Sequence, residues 1–187
     1  TKNFSETYFY QGKAGQDPAL KGQIEKLISY DGNGKKISEA LNTYEVRKSG
    51  PQANVLGFPA LIEQAVTVWE ENASSLATKT RFTYDNIGNL LEQKTEGDSL
   101  KTGDEKSSAT TYAQAYALGF NRPLEALLKD KDGATVSQKN FEYDEKGNLL
   151  KEIMLIFNSI TQQTQVTQVT YSYDSFGNLI SSTNALG

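Results

Sequence analysis

FTYDNIGNLL, residues 82–91, is the stretch of sequence that decides the fold. It recurs without gaps as FEYDEKGNLL at residues 141–150 and as YSYDSFGNLI at residues 171–180. The three copies share the signature Tyr-Asp-x-x-Gly-Asn-Leu. An internal repeat of this kind defines the structural unit from which a chain is built.

Each copy predicts one β-hairpin. An aromatic residue two positions before another places both rings on one face of a strand. Asp opens a turn by accepting a backbone N–H two residues on, and Gly supplies the left-handed position that closes a type I turn into a bulge. Asn tolerates the distorted position that follows, and the aliphatic pair starts the second strand. The signature residues, to which we assign structural roles, are Tyr84, Asp85, Gly88, Asn89, Tyr143, Asp144, Gly147, Asn148, Tyr173, Asp174, Gly177 and Asn178.

The spacing of the copies is irregular. Their aspartates stand at 85, 144 and 174 and are therefore 59 and 30 residues apart. We expect hairpins with variable connections rather than a strict solenoid or propeller, near residues 80–95, 139–157 and 166–183. Weaker copies begin at Asp31 and Asp130. Because an isolated hairpin is only marginally stable, the copies are expected to pair side by side and bury a shared face.

The sequence between the copies also favours strands. Ala60–Trp69 and Val166–Tyr173 are rich in β-branched residues, and 23–30 and 41–46 are further candidates. Helical signals are weak: 39–45 and 113–118 could each form no more than a turn or two. Loops are predicted at 11–18, 48–53 and 97–108. The predicted fold class is all-β, with antiparallel hairpin repeats forming an elongated, curved sheet, in a chain long enough to bury a core.

Composition limits the chemistry that is available. The chain of 187 residues contains no histidine and no cysteine. Ser-His-Asp triads, thiolate nucleophiles, disulfides and zinc sites built on His or Cys are therefore excluded. The net charge of −4 gives no electrostatic reason to bind nucleic acid or an anionic membrane. No apolar run approaches the roughly 20 residues of a membrane-spanning helix, so we expect no direct membrane insertion.

The three Tyr-Asp-x-x-Gly-Asn-Leu copies resemble the YD repeats of the RHS family. That family comprises bacterial RHS proteins, the B and C components of insecticidal Tc toxin complexes, and the animal teneurins. Further segments follow the same order: Tyr8–Gly12, Leu20–Gly22, Thr43–Val46 and Asn121–Glu125 are similar to parts of the repeat region of Tc-type B components. The resemblance covers most of the chain.

The resemblance implies a long β-sheet strip that coils into a hollow shell around a toxic polypeptide, which is made as the C-terminal part of the same chain. We therefore expect residues 1–187 to be a single YD-repeat β-domain, part of a larger secreted or cell-surface bacterial protein. Many family members cut themselves near the end of the shell. The acidic motif for that reaction is not found here, so this activity is carried over to no residue.

The acidic residues could instead bind calcium, and the aromatic residues could instead bind a sugar. Asp31, Asp85, Asp130, Asp144 and Asp174 could be calcium ligands, but each turn supplies too few oxygen ligands, which favours turn capping. The repeated Tyr and Phe pairs could form a sugar-stacking platform, but cross-strand packing is favoured.

Two further sites, a glycosidase pair and a phosphate-binding loop, have weaker support in the sequence. Residues 70–71 together with Glu142 and Asp144 could form a glycosidase pair, but no pocket signal accompanies them. Residues 31–34, Asp-Gly-Asn-Gly, lack the ending of a phosphate loop and indicate a hairpin turn. We predict no catalytic, cofactor-binding or metal-binding residue.

The sequence is therefore consistent with two functions. The first is a structural shell or scaffold segment that encloses or displays a C-terminal toxin or effector. The second is an adhesion module that binds a glycan or a protein at the cell surface. The expected partners are neighbouring repeats of the same polypeptide and the enclosed or displayed polypeptide, with a glycan in the second case. No cofactor, no enzymatic activity and no nucleic-acid partner are expected.

Overall fold

The structure, a computed structural model, describes residues 2–12, 14–48, 57–70, 75–98, 101–113 and 121–184. The chain divides into two compact units, Thr1–Glu105 and Lys106–Gly187. Each unit is built of antiparallel strands, so the predicted all-β class is confirmed. The prediction of one repeat domain over residues 1–187 stays a prediction.

The first unit contains six described strands, and each pairs with its neighbours in the chain. A short 3-10 helix, Pro18–Leu20, precedes the second strand; its first turn is capped by the side chain of Asp17, which accepts a hydrogen bond from the N–H of Ala19. The strands are β1 (Phe4–Phe9), β2 (Ile24–Tyr30), β3 (Lys36–Arg47), β4 (Phe58–Trp69), β5 (Ser75–Tyr84) and β6 (Leu90–Glu96).

The second unit repeats this arrangement. Its described strands also pair in chain order, and every pair is antiparallel. Short turns join the last five of these strands, as expected for a β-meander whose consecutive strands are hydrogen-bonded. The strands are β7 (Lys106–Tyr112), β8 (Pro123–Lys129), β9 (Thr135–Tyr143), β10 (Leu149–Asn158), β11 (Gln163–Tyr173) and β12 (Leu179–Asn184).

The predicted hairpins are present at all three strong copies. They are β5–β6, β9–β10 and β11–β12, and the weaker copies at Asp31 and Asp130 form β2–β3 and β8–β9. The strands predicted at Ala60–Trp69 and Val166–Tyr173 lie within β4 and β11.

Four further predictions, two of helical turns and two of loops, differ from the structure or lie largely outside the described residues. The helical turn considered at 39–45 is wrong, because this segment lies inside β3, where cross-strand pairing on both sides overrides a weak local helix signal. The loop predicted at 97–108 ends earlier, since β7 starts at Lys106. The helical turn considered at 113–118 and the loop predicted at 48–53 lie almost entirely outside the described residues.

A register shift accompanies every one of these hairpin turns. In β5–β6, Tyr84 faces Leu90 and Thr83 faces Glu92, so Leu91 is left without an opposite residue. In each of the other four hairpins, the second residue of the second strand is likewise left without an opposite residue. An extra residue of this kind bends the strand and increases its local twist. The extra residues in the five hairpins are Ile37, Leu91, Val136, Leu150 and Ile180.

Few side chains are fully buried. Within the described part of the chain, Ile28 and Ala60 are the buried apolar residues, at 5% and 3% exposure, and Asp98 is the buried polar one. The chain is long enough to bury a core, but the described residues bury few side chains. The physical reason is that a meander in a single layer covers each strand from its sides and leaves its faces half exposed. Stability must come largely from the backbone ladder and cross-strand pairs.

No α-helix occurs among the described residues, and none of their helical segments is long and apolar enough to cross a bilayer.

Candidate functional site

The aspartate of each repeat closes its own turn. In the first strong copy, the N–H of Asp85 donates to the carbonyl oxygen of Asn89 at 3.0 Å, and the N–H of Gly88 donates to the carbonyl oxygen of Asp85 at 3.3 Å. Oδ1 of Asp85 also accepts hydrogen bonds from the N–H groups of Ile87 at 3.0 Å and of Asn89 at 2.9 Å. The predicted capping by Asp is therefore present and reaches one more N–H group than expected.

The asparagine of the signature has a role that the sequence did not suggest. Nδ2 of Asn89 donates to Oδ2 of Asp85 at 2.6 Å, and Asn148 and Asn178 make the same bond to their own aspartates at 2.8 and 2.9 Å. The weaker copies carry Lys35 and Ala134 at this position, where the main-chain N–H still binds the aspartate. The side-chain amide therefore distinguishes the strong copies from the weak ones.

These hydrogen bonds favour the ionised form of the three aspartates. Burial acts to raise the pKa of Asp85 and of Asp144, but the bonds from the asparagine side chain and from the turn N–H groups outweigh it and lower both values. For Asp174 the bond from the side chain of Asn178 is the largest cause of its lowered pKa. A carboxylate that accepts several N–H bonds is stabilised in the charged form.

The glycines adopt the predicted left-handed conformation. Gly88, Gly147 and Gly177 have φ of 97°, 85° and 89°. A Cβ at Gly147 would also displace the guanidinium of Arg122, which is the flexible end of that side chain. At Gly133, in a weaker copy with φ of 79°, a Cβ would meet nothing within 4 Å. At position 147 the positive φ favours glycine, and a larger residue would in addition move Arg122 away from the turn.

Tyrosine hydroxyls stabilise the carbonyl groups beside the register shifts. Tyr84 donates to the carbonyl oxygen of Leu61 at 3.0 Å, and Ile62 is the next residue, which has no opposite partner on β3. Tyr173 donates in the same way to the carbonyl oxygen of Leu149 at 2.9 Å, beside the unpaired Leu150. The repeat tyrosine therefore connects its hairpin to the preceding strand at the place where the ladder is interrupted.

Tyr44 extends this pattern outside the strong copies. Its hydroxyl donates to the carbonyl oxygen of Ile24 at 3.2 Å. Between β1 and β2, Phe9 faces Ile24 and Tyr8 faces Lys26, so the residue that follows Ile24 is the extra one. This contact was not predicted, because the sequence around Tyr44 lacks the repeat signature.

Arginines lie against two of the repeat turns. Nη1 of Arg47 donates to the carbonyl oxygens of Tyr84 and Asp85 at 2.7 and 3.3 Å, and its guanidinium lies 5.6 Å from the centre of the Tyr84 ring. Arg122 lies at the same distance, 5.6 Å, from the ring of Tyr143. In the third copy, Nζ of Lys146 donates to the carbonyl oxygen of Ser175 at 3.0 Å. Each strong turn is thus contacted by a cation from a neighbouring segment.

The first unit has one charged face. Directly opposed residues of an antiparallel pair share a face, and residues alternate along each strand. The registers place Glu39, Glu63, Lys79, Arg81 and Glu96 on the same face. Glu63 lies 3.2 Å from both Lys79 and Arg81, and Arg81 also pairs with Glu96. These bonds lower the pKa of Glu63, chiefly through Lys79.

The opposite face of the first unit carries no charged residue across its central rows. We call this surface the uncharged face. One row is polar: Nε2 of Gln64 donates to Oδ1 of Asn42 at 2.9 Å, and Nδ2 of Asn42 donates to the carbonyl oxygen of Ile24 at 3.0 Å. The three rows that define the uncharged face are Asn42, Gln64, Thr80 and Thr95; Leu27, Ala40, Val66 and Thr78; and Ser29, Ser38, Val68 and Leu76.

The second unit does not separate its charges in this way. Lys139 pairs with Glu152 at 2.7 Å on one face, and Lys151 pairs with Glu142 at 3.3 Å on the other. Beside the second and third strong turns lies an open cleft of about 560 Å³. Its lining includes Tyr171 and Tyr173.

The acidic residues considered for catalysis or metal binding have other contacts. The carboxylates of Asp85, Asp144 and Asp174 accept hydrogen bonds within their own turns, and Glu142 pairs with Lys151. The described ranges contain no group of three or more carboxylates arranged to hold a metal ion. Glu71 lies outside the described residues. What the structure brings together at each repeat is Tyr, Asp, Gly and Asn in a closed turn.

Comparisons with known proteins give fold likenesses only. No protein-family model matches the sequence, and no curated protein sequence matches it. A crystal structure of TcdB2-TccC3-Cdc42 is similar over 95% of this chain and 10% of its own, at 16% identity and a TM-score of 0.32. A porin-like protein from Bacteroides uniformis is similar over 97% of this chain and 86% of its own, at 10% identity and a TM-score of 0.33.

A structure of the Photorhabdus luminescens Tc holotoxin pore is similar over 96% of this chain and 12% of its own, at 14% identity and a TM-score of 0.23. The chain thus spans about a tenth of the length of the toxin-complex chains that it matches. Likenesses of this size carry no conclusion about function, and membership of the RHS family stays a prediction.

Proposed function

We propose that this chain is a structural segment of a secreted or cell-surface bacterial protein of the RHS type. Its role is to supply β-sheet that encloses or displays another polypeptide. The role is mechanical: paired hairpins provide the surface, and the partner carries the activity.

The observation that supports this proposal is the closed repeat turn, which occurs in a sheet with almost no core of its own. Each hairpin is fixed locally by Asp, Gly and Asn, while the side chains on the sheet faces stay half exposed. Such a sheet has turns that are held by hydrogen bonds and faces that no second layer covers within the described part of the chain. It is therefore suited to contact a second polypeptide. Exposed apolar surface of this extent generally marks an interaction site.

We also propose that no residue here carries out chemistry. The strong-copy aspartates, which are the most regularly placed acidic groups, are engaged by the N–H groups of their turns. A hydrolase activity of the purified chain that a single Asp or Glu substitution abolishes would overturn this part of the proposal.

The test of the scaffold role uses the purified chain and a permanently unfolded polypeptide, reduced and carboxymethylated lactalbumin. We expect the chain to bind the unfolded polypeptide and to slow its digestion by protease, while native lactalbumin is digested at an unchanged rate. Digestion of the unfolded polypeptide at the same rate with and without the chain would contradict the proposal.

A second function, glycan binding at a cell surface, is favoured by one observation. The open cleft of the second unit is lined by the rings of Tyr171 and Tyr173 together with Asn148 and Lys146. Aromatic rings and amides are the groups with which proteins contact sugars. Glycan-array binding in the micromolar range that Tyr171→Ala abolishes would support this function in place of the scaffold role.

A further inference from the structure

We propose that the uncharged face of the first unit is the contact surface for an extended polypeptide segment that is poor in charge and rich in aliphatic and small polar residues. This inference rests on the proposed scaffold function and specifies which surface meets the partner. The observation behind it is the separation of charge between the two faces of one single-layer sheet across its three central rows.

The separation of charge is sharp, because charged and uncharged residues alternate from one position to the next along the same strand. On β5, Lys79 and Arg81 lie on the charged face, while Thr78 and Thr80 lie on the uncharged face. On β4, Glu63 lies on the charged face and Gln64 on the uncharged face. A sheet with both faces in water would have no reason to keep charge out of three adjacent rows on one face, since surface charge improves solubility.

Central charged groups of the charged face already pair with one another. Glu63 contacts Lys79 and Arg81, and Arg81 also contacts Glu96. A partner binding there would have to compete with ion pairs and remove charged groups from water, which is costly. The uncharged face imposes no such cost.

The uncharged face combines aliphatic and amide surface. Leu27, Val68 and Leu76 are 36%, 40% and 40% exposed. Beside them runs the polar row that includes Asn42 and Gln64. Each amide has two donor hydrogens and an acceptor oxygen, so the row can bind further groups beyond the bonds that it makes internally.

This combination fits a polypeptide better than a sugar. An extended chain presents side chains to the aliphatic rows and its backbone N–H and C=O groups, which need partners, to the polar row. The three central rows contain no aromatic residue, and ring stacking is therefore absent there. The absence of charge in these rows favours a partner segment that is itself uncharged, because a charged side chain buried against them would lack a counterion.

The test compares adjacent residues of the same strands. Val66→Lys and Thr78→Lys place a charge on the uncharged face, whereas Thr67→Lys and Ala77→Lys place the same charge on the charged face. Thr78→Val, which keeps the surface uncharged, is the conservative variant. The probe is a short fluorescein-labelled peptide of Val, Leu, Ser, Thr and Asn, and its affinity is measured by fluorescence anisotropy. Thermal melting of each variant identifies any that fails to fold.

We expect Val66→Lys and Thr78→Lys to weaken binding of the peptide by about tenfold or more, which corresponds to about 1.4 kcal/mol. Thr67→Lys, Ala77→Lys and Thr78→Val should leave the affinity nearly unchanged. A matched peptide with Glu and Lys at alternate positions should bind more weakly than the uncharged one.

Other outcomes would overturn the inference in distinguishable ways. If the peptide binds but the charged-face variants weaken it as much, the assigned face is wrong and the proposed function stands. If the peptide does not bind but unfolded lactalbumin does, the inference is wrong and the proposed function stands; if neither binds, both are wrong. Binding of maltoheptaose that Thr78→Lys abolishes, or a dimer in light scattering that the same variant dissociates, would show that a sugar or a second copy occupies this face instead.

Discussion

The hydroxyl of Tyr84 donates a 3.0 Å hydrogen bond to the carbonyl oxygen of Leu61, which immediately precedes a residue that has no opposite partner. Tyr173 repeats this relationship with Leu149 in the second unit. The tyrosine of the signature therefore does more than pack its ring. Its hydroxyl donates a hydrogen bond to a carbonyl oxygen of the neighbouring strand, beside the position where the strand pairing is interrupted.

Replacing this tyrosine should reduce stability without changing shape. Tyr84→Phe and Tyr173→Phe remove one hydroxyl each and leave a carbonyl group with one donor fewer. We expect each variant to lose about 1 kcal/mol of unfolding free energy in urea titrations, the usual net contribution of such a hydrogen bond. Tyr171→Phe is the control, because its hydroxyl makes no hydrogen bond within the described ranges. Equal losses in all three variants would contradict this role.

The asparagine of the signature can be tested by removal and by addition. Asn89→Ala deletes the amide that donates to Asp85 and converts this turn to the form found at Asp130, where Ala134 takes the same position. We expect a loss of about 1 kcal/mol on thermal or urea unfolding. Ala134→Asn should raise the stability of the weaker turn. No change in either direction would show that the backbone bonds alone fix the turn.

The glycines should differ in how strongly they resist substitution. Gly133→Ala meets only the backbone penalty of a positive φ, about 1 kcal/mol. Gly147→Ala meets that penalty and also moves the guanidinium of Arg122 away from the Tyr143 ring, so we expect a somewhat larger fall in the thermal midpoint. Val at Gly88, Gly147 or Gly177 should destabilise the fold further, because a β-branched residue resists positive φ. Unchanged midpoints in all three Val variants would contradict the bulge assignment.

Acid should weaken the repeat turns. The pKa values of Asp85, Asp144 and Asp174 are lowered in the folded chain from an ordinary value of 3.8. Groups with a lowered folded-state pKa contribute stability that is fully present above the unfolded-state pKa and is lost as the pH falls through the folded-state value. Unfolding free energy measured by urea titration should therefore decline from about pH 5 to about pH 2.

Substitution of the aspartates is the matched control for this pH dependence. Asp85→Asn cannot ionise, so the stability of this variant should depend less on pH over the same range. A decline as steep in Asp85→Asn, Asp144→Asn and Asp174→Asn as in the unsubstituted chain would assign the acid sensitivity to other carboxyls. Glu63, whose pKa is also lowered, would then be the next to examine.

The turns were predictable from sequence because everything that forms them is local. Asp85, Gly88 and Asn89 lie within five residues, and their bonds depend on backbone geometry that Asp and Gly favour by themselves. The position of the register shift at Leu91 was also encoded, as the second residue of the aliphatic pair, but its meaning became clear only from strand pairing.

The contacts between hairpins were not predictable in the same way. The partner of Tyr84 is 23 residues away, and Arg47 contacts the turn of Asp85 from 38 residues away. These distances depend on the lengths of the connections, which the irregular repeat spacing leaves open. The small number of buried side chains was not predictable for a related reason. A hydrophobic pattern shows that a strand has an apolar side, and it does not show whether a second layer covers that side.

The chain-order pairing of strands has a consequence for how each unit is made. Since β2 pairs with β1 and β3, and β8 with β7 and β9, every contact needed by a strand is available as soon as the next strand has been synthesised. No strand has to wait for a distant segment, and loop closure is short at each step. Such a sheet can grow from its N-terminal edge at the pace of the ribosome, one hairpin at a time.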